Sequence, residues 1–224
     1  MPRTATTASA ILGLLDLRPS WTTYEITKQL RRNMRFFWPR AESRIYAETK
    51  QLVARGLAEV ELGHVGRRAR STYRITPRGR QVLREWLATP PRATALECEP
   101  LLRIFMADRS TRAQLDAALR QVRADARAIL DVGVDVGPEY LRGTAPFQDQ
   151  IHVRAFVFDF LSQHALMLLA WADRTEQTLD TWPTATHDDR VAMARRIIEA
   201  NLTAYPALET ELREQRFEVA REPT

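Results

Sequence analysis

Apolar positions in the first ninety residues recur at helical spacing in four stretches and alternate in two. From Ala8 to Leu17 they lie on most sides of a short helix (Ala8, Ile11, Leu12, Leu14, Leu15), as in a helix enclosed by its neighbours. Pro19 and Ser20 end it. Thr22 or Thr23 caps a second helix, with Tyr24, Ile26 and Leu30 recurring at roughly helical spacing and Glu25, Lys28, Gln29 and Arg32 facing outward. A third helix is expected from about Pro39, suited to a first helical turn, to Arg55, ahead of Gly56, suited to a left-handed cap. Ala41, Ile45, Thr49 and Leu52 form its apolar face with Val53 at the margin, and Arg40, Ser43, Arg44, Ala47, Lys50 and Gln51 form the opposite one.

The period then changes. Leu57 to Leu62 alternates as a half-buried strand does, and Thr72 to Thr76 repeats the alternation with Tyr73 and Ile75 on one face. Between them "GHVGRRARS" supplies two glycines for a turn and three arginines, Arg67, Arg68 and Arg70, at its tip. Thr76 caps a fourth helix with Pro77 at its first position and Val82, Leu83, Trp86 and Leu87 as its stripe.

Helix, helix, helix, strand, basic hairpin, strand, helix is the order of a winged helix-turn-helix. In that geometry the third helix enters the major groove and the hairpin reaches the flanking backbone or the minor groove. The candidate DNA contacts are Arg40, Ser43, Arg44, Ala47, Lys50 and Gln51 on the third helix, and Arg67, Arg68 and Arg70 on the hairpin.

Charge strengthens this reading. Of the chain's 224 residues, 1–90 hold 17 Arg and Lys against 7 Asp and Glu, whereas 91–224 hold 16 against 21. A basic first part and an acidic remainder suggest a domain that meets a polyanion and a second with another task. A winged helix also serves as a protein-interaction module, which is the competing reading. RNA binding is disfavoured because exposed aromatics are not interleaved with the basic residues as stacking requires.

The second half reads as all helical. Residues 91–98, with Pro91, form a linker. Glu99 to Ala107 presents Leu101, Leu102, Phe105 and Met106, and Ser110 or Thr111 caps a longer helix to about Val132, with a stripe from Leu115 to Leu130. Gly133 to Gly143 is expected to break regular structure before an apolar helix from Phe147 to Arg174, whose segment Ala155–Trp171 is interrupted by Asp159, Ser162, Gln163 and His164 and is read as falling short of a membrane span. A helix apolar nearly all round needs cover on several faces, and a second subunit is the simplest source. A last helix from about Asp188 to Asn201 and an extension from Pro206 to Arg216 follow. Phe156, Phe160, His164, Trp171 and Trp182 are the candidate pocket for a small aromatic effector, against the plainer reading that they are core and interface residues.

Nothing points to catalysis, metal or cofactor binding. His64, His152, His164 and His187 show no ligand spacing, no glycine-rich phosphate loop or Gly-x-Ser-x-Gly elbow is present, and the single Cys98 has no nucleophile signature. One cysteine agrees with a reducing compartment, no secretory pattern stands at the N-terminus, and the chain is expected to be cytoplasmic.

The stretches "ILGLLDLRPSWTTYEITKQL", "SRIYAETKQLVARGLAEVE", "STYRITPRGRQVLREWL" and "PLLRIFMADRST" resemble the PadR family of bacterial transcriptional regulators. The Ile45-Tyr46 step, the Gly56-Leu57 exit and the Tyr73, Thr76, Gly79 spacing carry the resemblance; Trp21-Thr22-Thr23-Tyr24 departs from it by lacking the family's usual glycine before Tyr-Glu-Ile. It implies a mainly α chain: a winged helix-turn-helix over 1–90, a linker over 91–98 and a helical dimerisation domain over 99–224. It also implies a cytosolic homodimer on double-stranded DNA, usually a repressor, which in some members binds a small effector.

Overall fold

The computed structural model describes residues 6–65 and 68–203, apart from the side chains of Asn33, Val65, Arg68 and Ala69. Two compact units follow one another, Met1–Glu97 and Cys98–Thr224.

In the first unit α1 (Thr6–Asp16) is the central element, buried through Thr7, Ala8, Ser9, Ile11, Leu12, Leu14 and Leu15. Around it stand β1 (Trp21–Thr22), α2 (Thr23–Met34), α3 (Glu42–Ala54), β2 (Ala58–Val65), β3 (Arg68–Ile75) and α4 (Pro77–Leu87). The antiparallel sheet has the order β1-β3-β2, with Trp21 opposite Tyr73 and the β2–β3 register running from Ala58–Ile75 to Val65–Arg68. Trp21, Ile26, Leu52, Leu57, Tyr73 and Ile75 close the core on α1.

Local chemistry fixes the junctions. Thr22 caps α2 in a reciprocal box: its hydroxyl accepts from the Glu25 N–H, while the Glu25 carboxylate accepts from the Thr22 N–H at 2.8 Å and from its hydroxyl at 2.7 Å. Arg18 pairs with Glu25 at 2.8 Å and lies over the Trp21 ring, 3.6 Å from its centroid. Helix α3 ends in a Schellman motif, with the Gly56 N–H donating to Val53 O and the Leu57 N–H to Leu52 O, and Gly56 at φ +68°. The Thr76 hydroxyl donates to Gly56 O at 2.9 Å and accepts from the Gly79 N–H at 3.0 Å, so it ties the exit of α3 to the start of α4. Gly79 packs so close to this exit that an added Cβ would sit 2.1 Å from Leu57 O.

Several expectations are corrected. Thr22 caps α2 as expected, and Trp21 and Thr22 also pair with β3 as a short strand that the sequence pattern did not announce. Tyr24 is 68% exposed, outside the apolar face of α2, which buries Ile26, Thr27 and Leu30 instead. Helix α3 starts at Glu42, so Pro39 and Arg40 precede it and Ala41 is its exposed N-cap. The hairpin strands pair as far as Val65–Arg68, so Arg68 and Arg70 lie on β3 instead of in a long tip. Leu87 is exposed.

The second unit holds α5 (Glu99–Phe105), α6 (Arg112–Leu141), α7 (Ile151–Thr181) and α8 (His187–Thr203). Thr111 caps α6 in a second capping box with Gln114. Helix α6 does not end near Val132; it runs through Gly133, Gly137 and Pro138 to Leu141. The two glycines stand one turn apart under the Phe158 ring, whose atoms lie 3.6–3.8 Å from where their Cβ atoms would be. They serve close helix packing there. Leu115, Leu119 and Val122 of α6 form a core with Ala172 and Leu179 of α7, on which Trp171 and Trp182 pack half-buried. Arg123 of α6 bridges Asp173 at 2.8 Å and Glu176 at 2.6 Å on α7.

Beyond this seam α7 is open: Phe156 is 75% and Phe160 63% exposed. The reading that this segment falls short of a membrane span does not hold on length and composition. Gln148–Thr181 contains an 18-residue window of mean hydropathy 1.4, of which 11% is buried. The extension from Pro206 to Arg216 lies outside the described residues.

Candidate nucleic-acid interface

Helix α3 separates two chemistries by its period. Ile45, Glu48, Thr49 and Leu52 are buried, and Thr49 satisfies its hydroxyl by donating to Ile45 O at 2.8 Å. Ser43, Arg44, Ala47, Lys50 and Gln51 are exposed on the other side. One guanidinium, one ammonium, one amide and one hydroxyl are thus displayed within about two and a half turns, together with a methyl of the size that meets a thymine methyl. One charge that the helical pattern assigned to neither face is Glu48. Its carboxylate is nearly buried on the flank of α3, and the Arg44 guanidinium stands 4.0 Å from it, one turn away.

The hairpin carries the second basic feature. Arg70 is exposed opposite Gly63 on β2, and Arg68 faces Val65 in the last pair of the ladder. Arg67 lies outside the described residues, as does the side chain of Arg68. Along β2 the apolar positions leave the core progressively: Ala58 is buried, Val60 half-exposed and Leu62 79% exposed. The outer part of the hairpin therefore projects from the domain. Arg74 pairs with Glu61 at 3.1 Å nearer its base.

Between α2 and α3 the chain makes a basic aromatic turn that the sequence reading passed over. Arg35 lies over Phe36, 4.5 Å from its centroid, and Arg40 over Trp38 at 4.2 Å. Arg31, in the last turn of α2, pairs with Glu42 in the first turn of α3. Phe37 and Tyr46 are exposed nearby in sequence. The signal was legible in "RRNMRFFWPR", where arginines flank three consecutive aromatics.

The five candidate effector residues do not converge. Phe160 and His164 stack one turn apart, with ring planes parallel at 6.2 Å, but Phe156 and Trp171 are fifteen residues apart on one continuous helix, about 22 Å. Trp171 and Trp182 belong to the seam with α6. Among the described residues no group of three or more His, Cys, Asp or Glu is arranged to hold a metal ion.

Comparison with known proteins agrees with this geometry. Residues 11–85 match the Transcriptional regulator PadR-like family. The fold is similar to that of a PadR-like transcriptional regulator from Bacillus cereus, with a TM-score of 0.66 at 19% identity, covering 79% of this chain and 99% of that one. Bacillus subtilis PadR, solved in complex with operator DNA, matches with a TM-score of 0.64 at 21% identity over 78% of this chain and 99% of its own. The same protein has been solved with p-coumaric acid. The Vibrio cholerae virulence activator AphA matches with a TM-score of 0.60 at 19% identity over 79% and 99% of the two chains. No curated protein matches the chain in sequence.

Proposed function

We propose that this chain, which carries a PadR-like transcriptional-regulator domain over residues 11–85, is a sequence-specific DNA-binding regulator that acts as a homodimer, most simply a repressor on a pseudo-palindromic operator. The observation that carries the reading is the exposed set Ser43, Arg44, Ala47, Lys50 and Gln51 on one face of α3, in a domain that also projects a basic hairpin. Arg44, Lys50 and Gln51 offer donors to base edges, and Ala47 offers a methyl. On this reading Arg40 and Ser43, beside the start of α3, meet the backbone, and Arg67, Arg68 and Arg70 meet phosphates or the minor groove.

The open face of α7 supports the dimer. Phe156 and Phe160 leave an apolar surface exposed among the described residues, and a second copy covers it with matching chemistry. Arg154 and Asp159 interrupt this half of the helix, which suits a protein partner better than lipid. As a DNA-bound regulator the protein works in the cytoplasm. A small aromatic effector remains part of the proposal by analogy with the p-coumaric acid complex of Bacillus subtilis PadR. In a dimer the Phe160–His164 pair of each subunit can contribute to such a pocket without the five candidates meeting in one chain.

The test is a salt titration of duplex binding. Replacing Arg67 and Arg68 with alanine weakens binding to specific and unrelated duplexes alike and lowers the slope of log affinity against log salt by about 2. Replacing Arg44 or Lys50 reduces discrimination between sequences. Full affinity of the Arg67/Arg68 variant at every salt concentration rules out the hairpin assignment.

A further inference from the structure

We infer that the α2–α3 turn contains an oxyanion-binding site formed by Arg31, Arg35, Arg40 and the indole of Trp38, beside the start of α3. A cavity of about 30 Å³ opens there, lined by these four residues and by Thr7, Ala10, Leu30, Met34 and Ile45. At about 10–15 Å³ for each water-sized occupant, it holds two such groups, the size of two oxygens of one carboxylate or phosphate.

The polar lining is dominated by donors. Three guanidinium-bearing side chains converge on one small opening, and the Trp38 Nε1–H is buried with no hydrogen-bond partner. A buried indole N–H ordinarily finds an acceptor, so its isolation marks a place where one is to be supplied. The remaining lining is largely apolar (Ala10, Leu30, Met34 and Ile45), which leaves an occupant's charge to the arginines.

Two of the arginines are already set for a planar anion. Arg40 lies over Trp38 and donates from one terminal nitrogen to Pro39 O, and Arg35 lies over Phe36, so each guanidinium rests on a ring and keeps further N–H groups for a ligand. The third shows the chemistry in the molecule itself: Arg31 is held by a carboxylate, that of Glu42. Glu42 is the acidic group paired at this cluster, and against the three arginines it leaves the site with a surplus of two positive charges. A second acceptor is therefore accommodated electrostatically as well as sterically.

An oxyanion here has two sources, a phosphate of the DNA backbone or a small free carboxylate or phosphate. Only the first rests on the function proposed above. Ile45, on the buried face of α3, lines the same cavity, so either occupant touches the helix proposed to read bases.

The experiment uses the full chain and follows the indole N–H resonance of Trp38, assigned by its loss in Trp38→Phe, during titration with inorganic phosphate at constant ionic strength, with chloride as reference. The expected result is a saturable downfield shift in phosphate and not in chloride, with half-saturation raised at least tenfold in Arg35→Gln and again in Arg31→Gln. If Trp38→Phe does not fold, the resonance that answers to Arg35→Gln and Arg31→Gln identifies the site, and phosphate-dependent thermal protection lost in both variants serves as the second readout. A linear shift equal in both salts, or one unaffected by either arginine substitution, overturns the inference and leaves the cavity to water. An unrelated duplex added next separates the sources: it moves the same resonance if backbone phosphate is the occupant, and leaves phosphate titration unchanged if only a free anion fits. Loss of duplex binding altogether speaks against the proposed function while the phosphate result stands independently.

Discussion

Arg44 and Glu48 face each other across one turn of α3, the arginine largely exposed and the glutamate almost wholly buried, 4.0 Å apart. The pair links the outer surface of the helix to its inner one. An arginine that leaves for a base edge uncovers a carboxylate that has little water to replace it, so departure is favoured only where the new acceptor is good.

Arg44→Ala is accordingly expected to act twice. It costs about 1 kcal/mol of stability, because the buried Glu48 carboxylate loses its cation, and it lowers discrimination between duplexes. The double variant Arg44→Ala/Glu48→Gln recovers most of the stability and none of the discrimination. Urea unfolding read beside competition binding separates the two effects.

Gly79→Ala is expected to be among the most damaging small substitutions in the first unit. Its Cβ would meet Leu57 O at 2.1 Å and Ile75 Cγ1 at 2.9 Å, and the first of these is backbone. Relief requires moving the α3 exit or the α4 start, at the upper end of the about 1–3 kcal/mol that overpacking costs. Calorimetry should register a fall in Tm on the order of 10 °C.

Gly137→Ala should have the opposite sign. Its Cβ meets the Phe158 ring at 3.6 Å, an ordinary contact, while the helix interior gains up to about 1 kcal/mol from the lost glycine. Gly137→Leu instead displaces Phe158 and lowers Tm.

Glu25 gives stability a pH dependence. Burial pushes its carboxyl pKa upward, but the hydrogen bonds from the Thr22 N–H and hydroxyl and the Arg18 guanidinium outweigh that and hold it below the usual 4.5. A depressed folded-state pKa contributes stability above the unfolded value, and the contribution is lost as pH falls below about 4.5 through the folded value. Wild type should exceed Glu25→Gln in Tm at neutral pH, with the difference closing below that point. Thr22→Ala costs about 1 kcal/mol as a lost helix cap.

Phe156→Glu/Phe160→Glu should leave the single chain folded, since both rings are exposed, and convert dimer to monomer in sedimentation. A dimer that survives both charges places the interface elsewhere.

The winged-helix order was legible because each of its elements announces itself locally: α1 by its all-round apolar run, α3 by Gly56 at its exit, α4 by Thr76 and Pro77. What escaped depends on contacts distant in sequence. Trp21–Thr22 is a strand only because β3 lies beside it, and a two-residue segment has no period to read. Gly133, Gly137 and Pro138 look like a break from inside the helix; the cause of continuity, Phe158, lies on another one. Glu48 is polar and was counted with neither face, although the wheel places it between the buried and exposed sides of α3. Of the candidate interface, the residue types on α3 and the hairpin were readable, whereas the convergence of Arg31, Arg35 and Arg40 on one cavity needed the turn between two helices in three dimensions.

The sheet order gives the hairpin its mechanics. β3 is held on both sides only at Thr72 and Tyr73, where β1 and β2 flank it; the four outer pairs, Leu62–Ser71 to Val65–Arg68, are a two-stranded ribbon about 14 Å long. Such a ribbon is a cantilever clamped at its root by Trp21. If the hairpin meets DNA as proposed, a ribbon of this kind bends about that clamp without disturbing the pairs at Thr72 and Tyr73, so its arginines follow a groove whose width varies with sequence, and stiffness at the root joins charge at the tip in setting how far they reach.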